Sequence, residues 1–114
     1  MSYQRGDVVW GPDPFKSEEN PRPWLILNNG SHPFGGEEYL TVTLTTTPHD
    51  EGIEITDDDW VEGGMPRRSF ASPWAVMSPK DAAIVRRQGR LREAFVREVA
   101  EGLWTYLEPP EEQN

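Results

Sequence analysis

The 114-residue sequence contains no cysteine and only two histidines, His32 and His49. The absence of cysteine excludes a disulfide scaffold, a thiolate metal site and a cysteine nucleophile, and two histidines are too few for a structural zinc site. No apolar run approaches the roughly 20 residues that span a bilayer, and the first residues lack the apolar core of a signal peptide. We therefore expect a cytoplasmic protein that needs no metal and does not bind a membrane.

Positive charge is scarce, because 11 Lys and Arg stand against 20 Asp and Glu, for a net charge of -9. The deficit lies in residues 1–64, which hold 3 bases and 13 acids, whereas residues 65–114 hold 8 bases and 7 acids. Such a charge is not typical of nonspecific binders of duplex DNA or membranes. The length predicts one domain, which we place at residues 1–108, with a frayed acidic tail at 109–114.

The first 64 residues have the pattern of β-structure. Short apolar or alternating runs at Asp7–Trp10, Pro23–Leu27, Glu38–Thr47 and Gly52–Ile55 are separated by segments rich in Gly, Pro and Asn, as expected of strands and turns. A polar loop at 11–21 follows the first run, and loops of this length are often functional. No helical pattern separates these strands, which favours an antiparallel all-β core.

The remaining residues change character. Ser69–Met77 is predicted as a strand that is interrupted at Pro73, which favours an edge or a bulge there. Ser78–Asp81 has the residues of a helix start, and Gln88–Gly89 would end that short helix. From Leu91 onward apolar residues recur every four positions, which predicts an amphipathic C-terminal helix. The sequence thus predicts a mainly β (α+β) chain: a small, strongly bent antiparallel β-barrel with a short helix and a C-terminal amphipathic helix.

Arg22 is the first candidate for binding an anion. It lies between Pro21 and Pro23, and the two prolines stiffen the backbone from which the guanidinium extends. A rigidly presented arginine suits a phosphate or carboxylate partner. The alternative is a surface arginine paired with Glu18 or Glu19.

Hydroxyl groups and paired arginines form two further candidate sites. The threonines of Thr45–Thr47, at the end of a predicted strand, could bind phosphate oxygens, and Arg67 and Arg68 could bind a phosphate backbone. The alternatives are ordinary strand and turn chemistry for the threonines and a solvated loop for the arginines.

Aromatic rings and histidines complete the candidates. Of five tryptophans, Trp24 and Trp104 lie in apolar patterns and are predicted to be buried in the core, whereas Trp10 and Trp74 could stack on bases at the surface. His32 and His49 could form a general acid–base pair. The alternative is that both histidines are exposed in polar loops.

Several segments, taken in order, resemble the MazF/PemK (Kid-like) toxin family of type II toxin–antitoxin systems. Arg5–Trp10 is similar to the opening strand of the family, and Pro21–Asn28 is similar to its signature RP-x-[LV]-[IV]-[IVL]-[SN]. Leu40–Thr45 is similar to the next strand, which ends in a hydroxyl residue, and Met65–Ala71 to the stretch LP-x-x-S-x-[VA]. The resemblance extends from Arg5 to about Leu107, and its specificity lies in the order and spacing of these segments.

The resemblance implies an SH3-like barrel that forms a homodimer, pairs with a cognate antitoxin protein and cleaves single-stranded RNA, often messenger RNA, without a metal or other cofactor. In that reaction the 2′-hydroxyl attacks the adjacent phosphate and leaves a 2′,3′-cyclic phosphate. The catalytic arginine of the family falls on Arg22 and its catalytic hydroxyl on Thr45, with Thr46 as the alternative in register. Apart from the resemblance, His49 stays a possible catalytic acid or base, because it closely follows the three threonines. RNA contacts are expected from Arg67, Arg68, Trp10, Trp74 and Lys16.

One segment departs from the family pattern. Many members have a glutamine and an arginine in a stretch [DE]-Q-[IV]-R-[TA], where this sequence has Pro73 and Ala75. A second function therefore stays open, in which the same fold is a non-catalytic SH3-like module that binds RNA or a protein.

Overall fold

The computed structural model describes residues 3–13 and 20–111. They form seven β-strands, two short 3-10 helices at Asp57–Asp59 and Asp81–Ala83, and one α-helix. The elements are β1 (Asp7–Pro12), β2 (Pro21–Ile26), β3 (Thr41–Thr45), β4 (Ile53–Ile55), β5 (Trp60–Gly63), β6 (Ser69–Met77), β7 (Arg86–Leu91) and α1 (Glu93–Thr105). The prediction of a mainly β chain with a C-terminal helix is confirmed.

All seven strands belong to one antiparallel sheet in the order β4-β6-β3-β2-β1-β7-β5. The sheet curls into a half-barrel, with β4 and β5 at its two edges. Register shifts in the pairings of β1 with β7, β3 with β6 and β5 with β7 mark bulges, which bend strands and increase their twist. Pro73 lies within the shift in β6, so the predicted interruption there is confirmed as a bulge.

The curled sheet is filled on both faces. The main core joins residues of six strands and α1 with Leu27, which directly follows β2 (Val8, Leu25, Leu27, Val42, Leu44, Ile55, Ala71, Leu91, Phe95, Val96 and Val99). A smaller cluster of Val9, Trp24, Ile26 and Tyr39 covers the opposite face of β1 and β2. Successive residues of a strand point to opposite faces, which is why Val8 and Val9 belong to different clusters.

Three predictions about the C-terminal third are wrong. The helix predicted from Ser78 is a single 3-10 turn at Asp81–Ala83, and Gln88–Gly89 lies inside β7 instead of ending a helix. A Cβ on Gly89 would overlap with the carbonyl oxygen of Glu62, so this glycine permits the close approach of β5 to β7. Trp104, predicted to be in the core, is 58% exposed.

The C-terminal amphipathic helix is confirmed, with a later start. Phe95 and Val99 are buried against the sheet, but Leu91 is the last residue of β7 and α1 begins at Glu93. Leu107 lies beyond the helix and is exposed.

Candidate functional site

A cleft of about 720 Å³ opens at one end of the curled sheet. Here β1 and β3 end and β2, β6 and β7 begin, so one edge of the sheet collects residues that are far apart in sequence. The residues that line the cleft are Trp10, Asp13, Asn20, Pro21, Arg22, Pro23, Leu44, Thr45, Thr46, Thr47, Met65, Pro66, Arg67, Ser69, Arg86 and Gln88. The cleft therefore holds both residues of the predicted catalytic pair.

Strand register accounts for the meeting of Arg22 and Thr45. β2 and β3 are antiparallel, with Trp24 opposite Thr43, and continuing this register by two residues brings Arg22 level with Thr45. A step of two residues also keeps both side chains on one face of the sheet. On the other side of β2, Arg22 is the partner of Gly11.

Gly11 belongs to β1 and not to the loop predicted at 11–21. The indole ring of Trp24 crosses this position, and a Cβ on Gly11 would lie 2.7 Å from that ring. Glycine thus lets Trp24 pack across β1, so that β1 and β2 stay paired as far as Pro12 and Pro21. The Arg22 backbone is therefore fixed by a strand ladder as well as by its two prolines.

The Arg22 guanidinium is held from one side by a carboxylate. Its Nη1 donates to Oδ2 of Asp13 at 3.1 Å, and the Asp13 side chain is only 4% exposed. The Arg22 side chain is 33% exposed and faces the cleft. A guanidinium has five N–H donors, so the contact with Asp13 orients the group and leaves donors for a ligand.

The Thr45 hydroxyl is also oriented by a neighbour. The backbone N–H of Thr47 donates to Thr45 Oγ1 at 3.1 Å. Because a hydroxyl both accepts and donates, this bond leaves the Thr45 hydroxyl proton for a donor bond into the cleft. Thr46 and Thr47 also line the cleft and are exposed.

The opposite wall of the cleft is made by β1 and β7. The Arg86 guanidinium lies over the ring of Trp10, with Cζ 4.7 Å from the ring centroid. Trp10 Nε1 donates to Oε1 of Gln88 at 2.8 Å, and Nε2 of Gln88 donates to the carbonyl oxygen of Gly64 at 2.6 Å. This chain of contacts fixes the plane of the indole.

The cleft carries the opposite sign of charge from the whole chain. Its described lining has three arginines, Arg22, Arg67 and Arg86, and one carboxylate, Asp13, whereas the chain has a net charge of -9. A concave site of local positive charge attracts anions by focusing the field. The arrangement suits a phosphate group held by arginine and hydroxyl donors.

Several candidate residues lie away from the cleft lining. Arg68 binds Glu54, with Nε at 2.6 Å from Oε2, and its hydrogen bond lowers the pKa of the Glu54 carboxyl. His49 and Trp74 contact each other instead, with ring centroids 5.5 Å apart. His32 lies in a loop, where its Nδ1 accepts from the N–H of Phe34.

Two further positions were named in the sequence analysis. Lys16 lies outside the described residues. Pro73, which the resemblance aligns with the glutamine of many members of the MazF/PemK family, is buried and packs against α1, 3.1 Å from where a Cβ on Gly102 would lie. It is not among the residues of the cleft lining.

Sequence reasoning missed Asp13, Ser69, Arg86 and Gln88 as cleft residues. Asp13 carried a usable signal, because it is an acid in the same polar loop that leads to Arg22. Arg86 and Gln88 carried none, because the segment around them reads as the end of a helix. In the described part of the chain, no three His, Asp or Glu side chains are placed to hold a metal ion together. Residues 3–13 and 20–111 also contain no helix long and apolar enough to cross a membrane.

Comparison of the sequence with protein-family models finds no match, and no curated protein matches it either. Solved structures do match. A mycobacterial endoribonuclease, solved in complex with its cognate antitoxin, superposes with a TM-score of 0.72 and 18% identity, over 97% of this chain and 98% of that chain.

Two further structures are similar over nearly the whole chain. The Mycobacterium tuberculosis toxin MazF-mt6 gives a TM-score of 0.68 at 16% identity, over 89% of this chain and 95% of that chain. MazF in the MazE–MazF structure from Deinococcus radiodurans gives 0.70 at 13% identity, over 94% and 96%. This chain therefore has the fold of the MazF toxins, as the resemblance in sequence implied.

Proposed function

We propose that this chain is an endoribonuclease toxin of the MazF type, which cleaves single-stranded RNA, including messenger RNA, in the cytoplasm. The observation that carries the proposal is the convergence of Arg22 and Thr45 in a positively charged cleft. The MazF fold supports it, because two of the similar structures are described as endoribonucleases. A fold alone does not define an activity, so the argument depends on the cleft.

The proposed reaction needs an RNA strand whose phosphate lies between these two residues. The 2′-oxygen attacks the adjacent phosphorus, a P–O2′ bond forms and the P–O5′ bond breaks. The proton of the 2′-hydroxyl is released to water and the leaving 5′-oxygen takes up a proton from water, so the products are a 2′,3′-cyclic phosphate and a 5′-hydroxyl. In the pentavalent transition state, negative charge builds up on the non-bridging oxygens.

The two residues have complementary roles in this proposal. Arg22, oriented by Asp13, directs its remaining N–H donors at the developing charge, and preorganised donors of this kind are a large part of catalysis. Thr45, whose oxygen accepts from Thr47, donates its proton to a non-bridging oxygen and holds the phosphate in line. Neither role needs a metal ion.

The purified protein is expected to cleave single-stranded RNA in the presence of EDTA. The reason is that the arginine and hydroxyl donors supply the charge stabilisation that a metal would otherwise provide. The measurement is cleavage of a pool of varied RNA sequences with EDTA or with added Mg²⁺, followed by analysis of the ends for 2′,3′-cyclic phosphate.

Two outcomes of that assay contradict the proposal in different ways. Cleavage that appears only with Mg²⁺ would contradict the metal-independent mechanism. Binding of the pool without cleavage, at low and high salt, would favour the second function, a non-catalytic RNA-binding module. The Arg22–Asp13 ion pair fits that function too, because it occupies part of the guanidinium.

We also propose two protein partners, a second copy of this chain and a cognate antitoxin. Large apolar side chains remain exposed in the single chain, including Trp74 at 40% and Trp104 at 58%, and burial of such side chains favours association. The antitoxin is supported by the similar structures solved with an antitoxin or with MazE.

Light scattering at micromolar concentration is expected to give a mass of twice the 13.0 kDa of one chain. The expectation follows from the exposed tryptophans, which a homodimer would cover. Trp104→Lys and Glu101→Lys form a matched pair of variants on α1. Trp104→Lys is expected to lower the mass towards that of one chain, and Glu101→Lys is the control that changes charge without removing a tryptophan. A mass of one chain for the unmodified protein would count against the homodimer.

A further inference from the structure

The wall of the cleft formed by Trp10 and Arg86 has no part in the proposed phosphate chemistry. Arg86 is the strand partner of Trp10, and its guanidinium lies over the indole at 4.7 Å. An arginine in this position is attracted to the ring by a cation–π interaction. The planar guanidinium is thereby kept at the cleft surface, where the Arg86 side chain is exposed.

The indole beneath Arg86 is itself fixed. Gln88 accepts from Trp10 Nε1 through its oxygen and donates to Gly64 through its nitrogen. Both ends of the amide are thus engaged in holding the ring, and turning the indole would break the first of these bonds. Gln88 thus orients Trp10, and its oxygen also accepts from Nη1 of Arg86 at 3.5 Å. A solvated surface aromatic side chain needs no such partner.

We propose that Arg86, supported from below by Trp10, is a stacking subsite for a nucleobase of single-stranded RNA. This inference rests on the proposed function, because it takes the adjoining phosphate to lie at Arg22. Unpaired bases stack on aromatic rings and on arginine guanidinium planes. A base on the outer face of Arg86 completes a stack of indole, guanidinium and base.

The position of the wall agrees with this assignment. Arg86 belongs to β7 and Arg22 to β2, the two strands that flank β1, and both side chains line the same cleft at this end of the sheet. A phosphate at Arg22 leaves an adjoining base within reach of Arg86. Arg22 and Arg67 already supply positive charge for phosphates, whereas the supported plane of Arg86 is the feature that a base recognises.

The test is binding of 2′-O-methyl RNA oligonucleotides, which cannot be cleaved because the attacking hydroxyl is blocked. One series contains every base, and in the others one base at a time is replaced by an abasic site. Arg86→Lys keeps the charge and removes the plane. We expect it to weaken binding of the intact oligonucleotide by about tenfold, the scale of losing one stacked base.

Arg68→Lys is the matched control. Arg68 also lies over an aromatic ring, with Cζ 5.1 Å from the centroid of Phe70, but it is bound to Glu54 and is not part of the cleft lining. This variant is expected to bind the oligonucleotides as the unmodified protein does. At one abasic position, Arg86→Lys is expected to cause no further loss, because the base and the guanidinium contribute through the same contact.

The possible outcomes separate the subsite from the nuclease. If Arg86→Lys weakens binding equally with and without each base, Arg86 is a phosphate contact and the subsite is wrong. If the unmodified protein cleaves RNA and Arg86→Lys binds normally, the subsite alone is overturned. Base-dependent binding through Arg86 by a protein that cleaves no RNA would support the subsite and overturn the nuclease. Failure to bind any oligonucleotide would overturn both.

Discussion

Replacement of Arg22 by lysine is expected to lower the single-turnover rate of RNA cleavage by about a hundredfold or more, the scale of losing one preorganised donor. Lysine keeps the positive charge but lacks the planar fork of donors. It therefore cannot both bind Asp13, as Arg22 does, and direct further donors at the pentavalent phosphorus. Affinity for a 2′-O-methyl oligonucleotide is expected to fall far less, because Arg67 remains in the cleft to bind the backbone and the proposed base contact at Arg86 is unchanged.

Single-turnover cleavage and binding affinity, measured side by side, check this prediction. Arg68→Lys makes the same chemical change at an arginine bound to Glu54, and its cleavage rate is expected to stay near that of the unmodified protein. A thermal unfolding curve shows whether the Arg22→Lys protein is as stable as the unmodified protein. If cleavage and affinity fall together by the same factor, Arg22 is a binding residue and its catalytic role is wrong.

Replacement of Thr45 by valine is expected to lower the cleavage rate by about a hundredfold as well, for the loss of one donor to a non-bridging oxygen. Valine keeps the β-branched shape that suits a strand, so β3 is expected to keep its pairing with β2 and β6. The N–H of Thr47 loses its acceptor, but Thr47 is exposed and water replaces that bond. The readout is the same single-turnover assay.

Two control variants test whether the Thr45 hydroxyl, and not a neighbouring group, contributes to cleavage. Thr46→Val removes the exposed neighbouring hydroxyl from the same cleft, and His49→Ala removes a ring that contacts Trp74. Both variants are expected to cleave nearly as fast as the unmodified protein. A large loss in Thr46→Val alone would shift the role from Thr45 to Thr46. If His49→Ala abolishes cleavage and Arg22→Lys does not, a histidine acid–base mechanism replaces the one proposed here.

Local sequence patterns were sufficient to predict most strands of the sheet. The strands β1 and β2 follow from continuous apolar runs, and β3 from the alternation around Val42, because the period of two in a strand is visible in the sequence itself. α1 is visible for the same reason, through Phe95 and Val99 on one helical face. The mainly β class and the C-terminal helix are therefore properties of residues that are near one another in the chain.

The segment that became β7 shows where this reasoning fails. Its sequence from Arg86 to Leu91 has no apolar alternation, and Gly89 resembles the end of a helix. It is a strand because β1 and β5 pair with it on both sides, and because Gly89 leaves room for the backbone of Glu62. Pairing between residues about 80 positions apart leaves no local signature, so the prediction of a helix there was wrong.

The same distinction between local sequence patterns and long-range pairing applies to the predicted site. By itself, the sequence determined the mainly β class and the helix, and it offered Arg22 and Thr45–Thr47 as candidates, since proline-flanked arginines and strand ends are local features. The resemblance to the MazF/PemK family then singled out Thr45 as the partner of Arg22. Only the tertiary structure decided which residues share the cleft. It placed Arg67 there with Arg22 and Thr45, bound Arg68 to Glu54, and added Asp13, Arg86 and Gln88. The physical reason is that strand register and bulges, which are set by long-range pairing, determine which side chains meet at the end of a curled sheet.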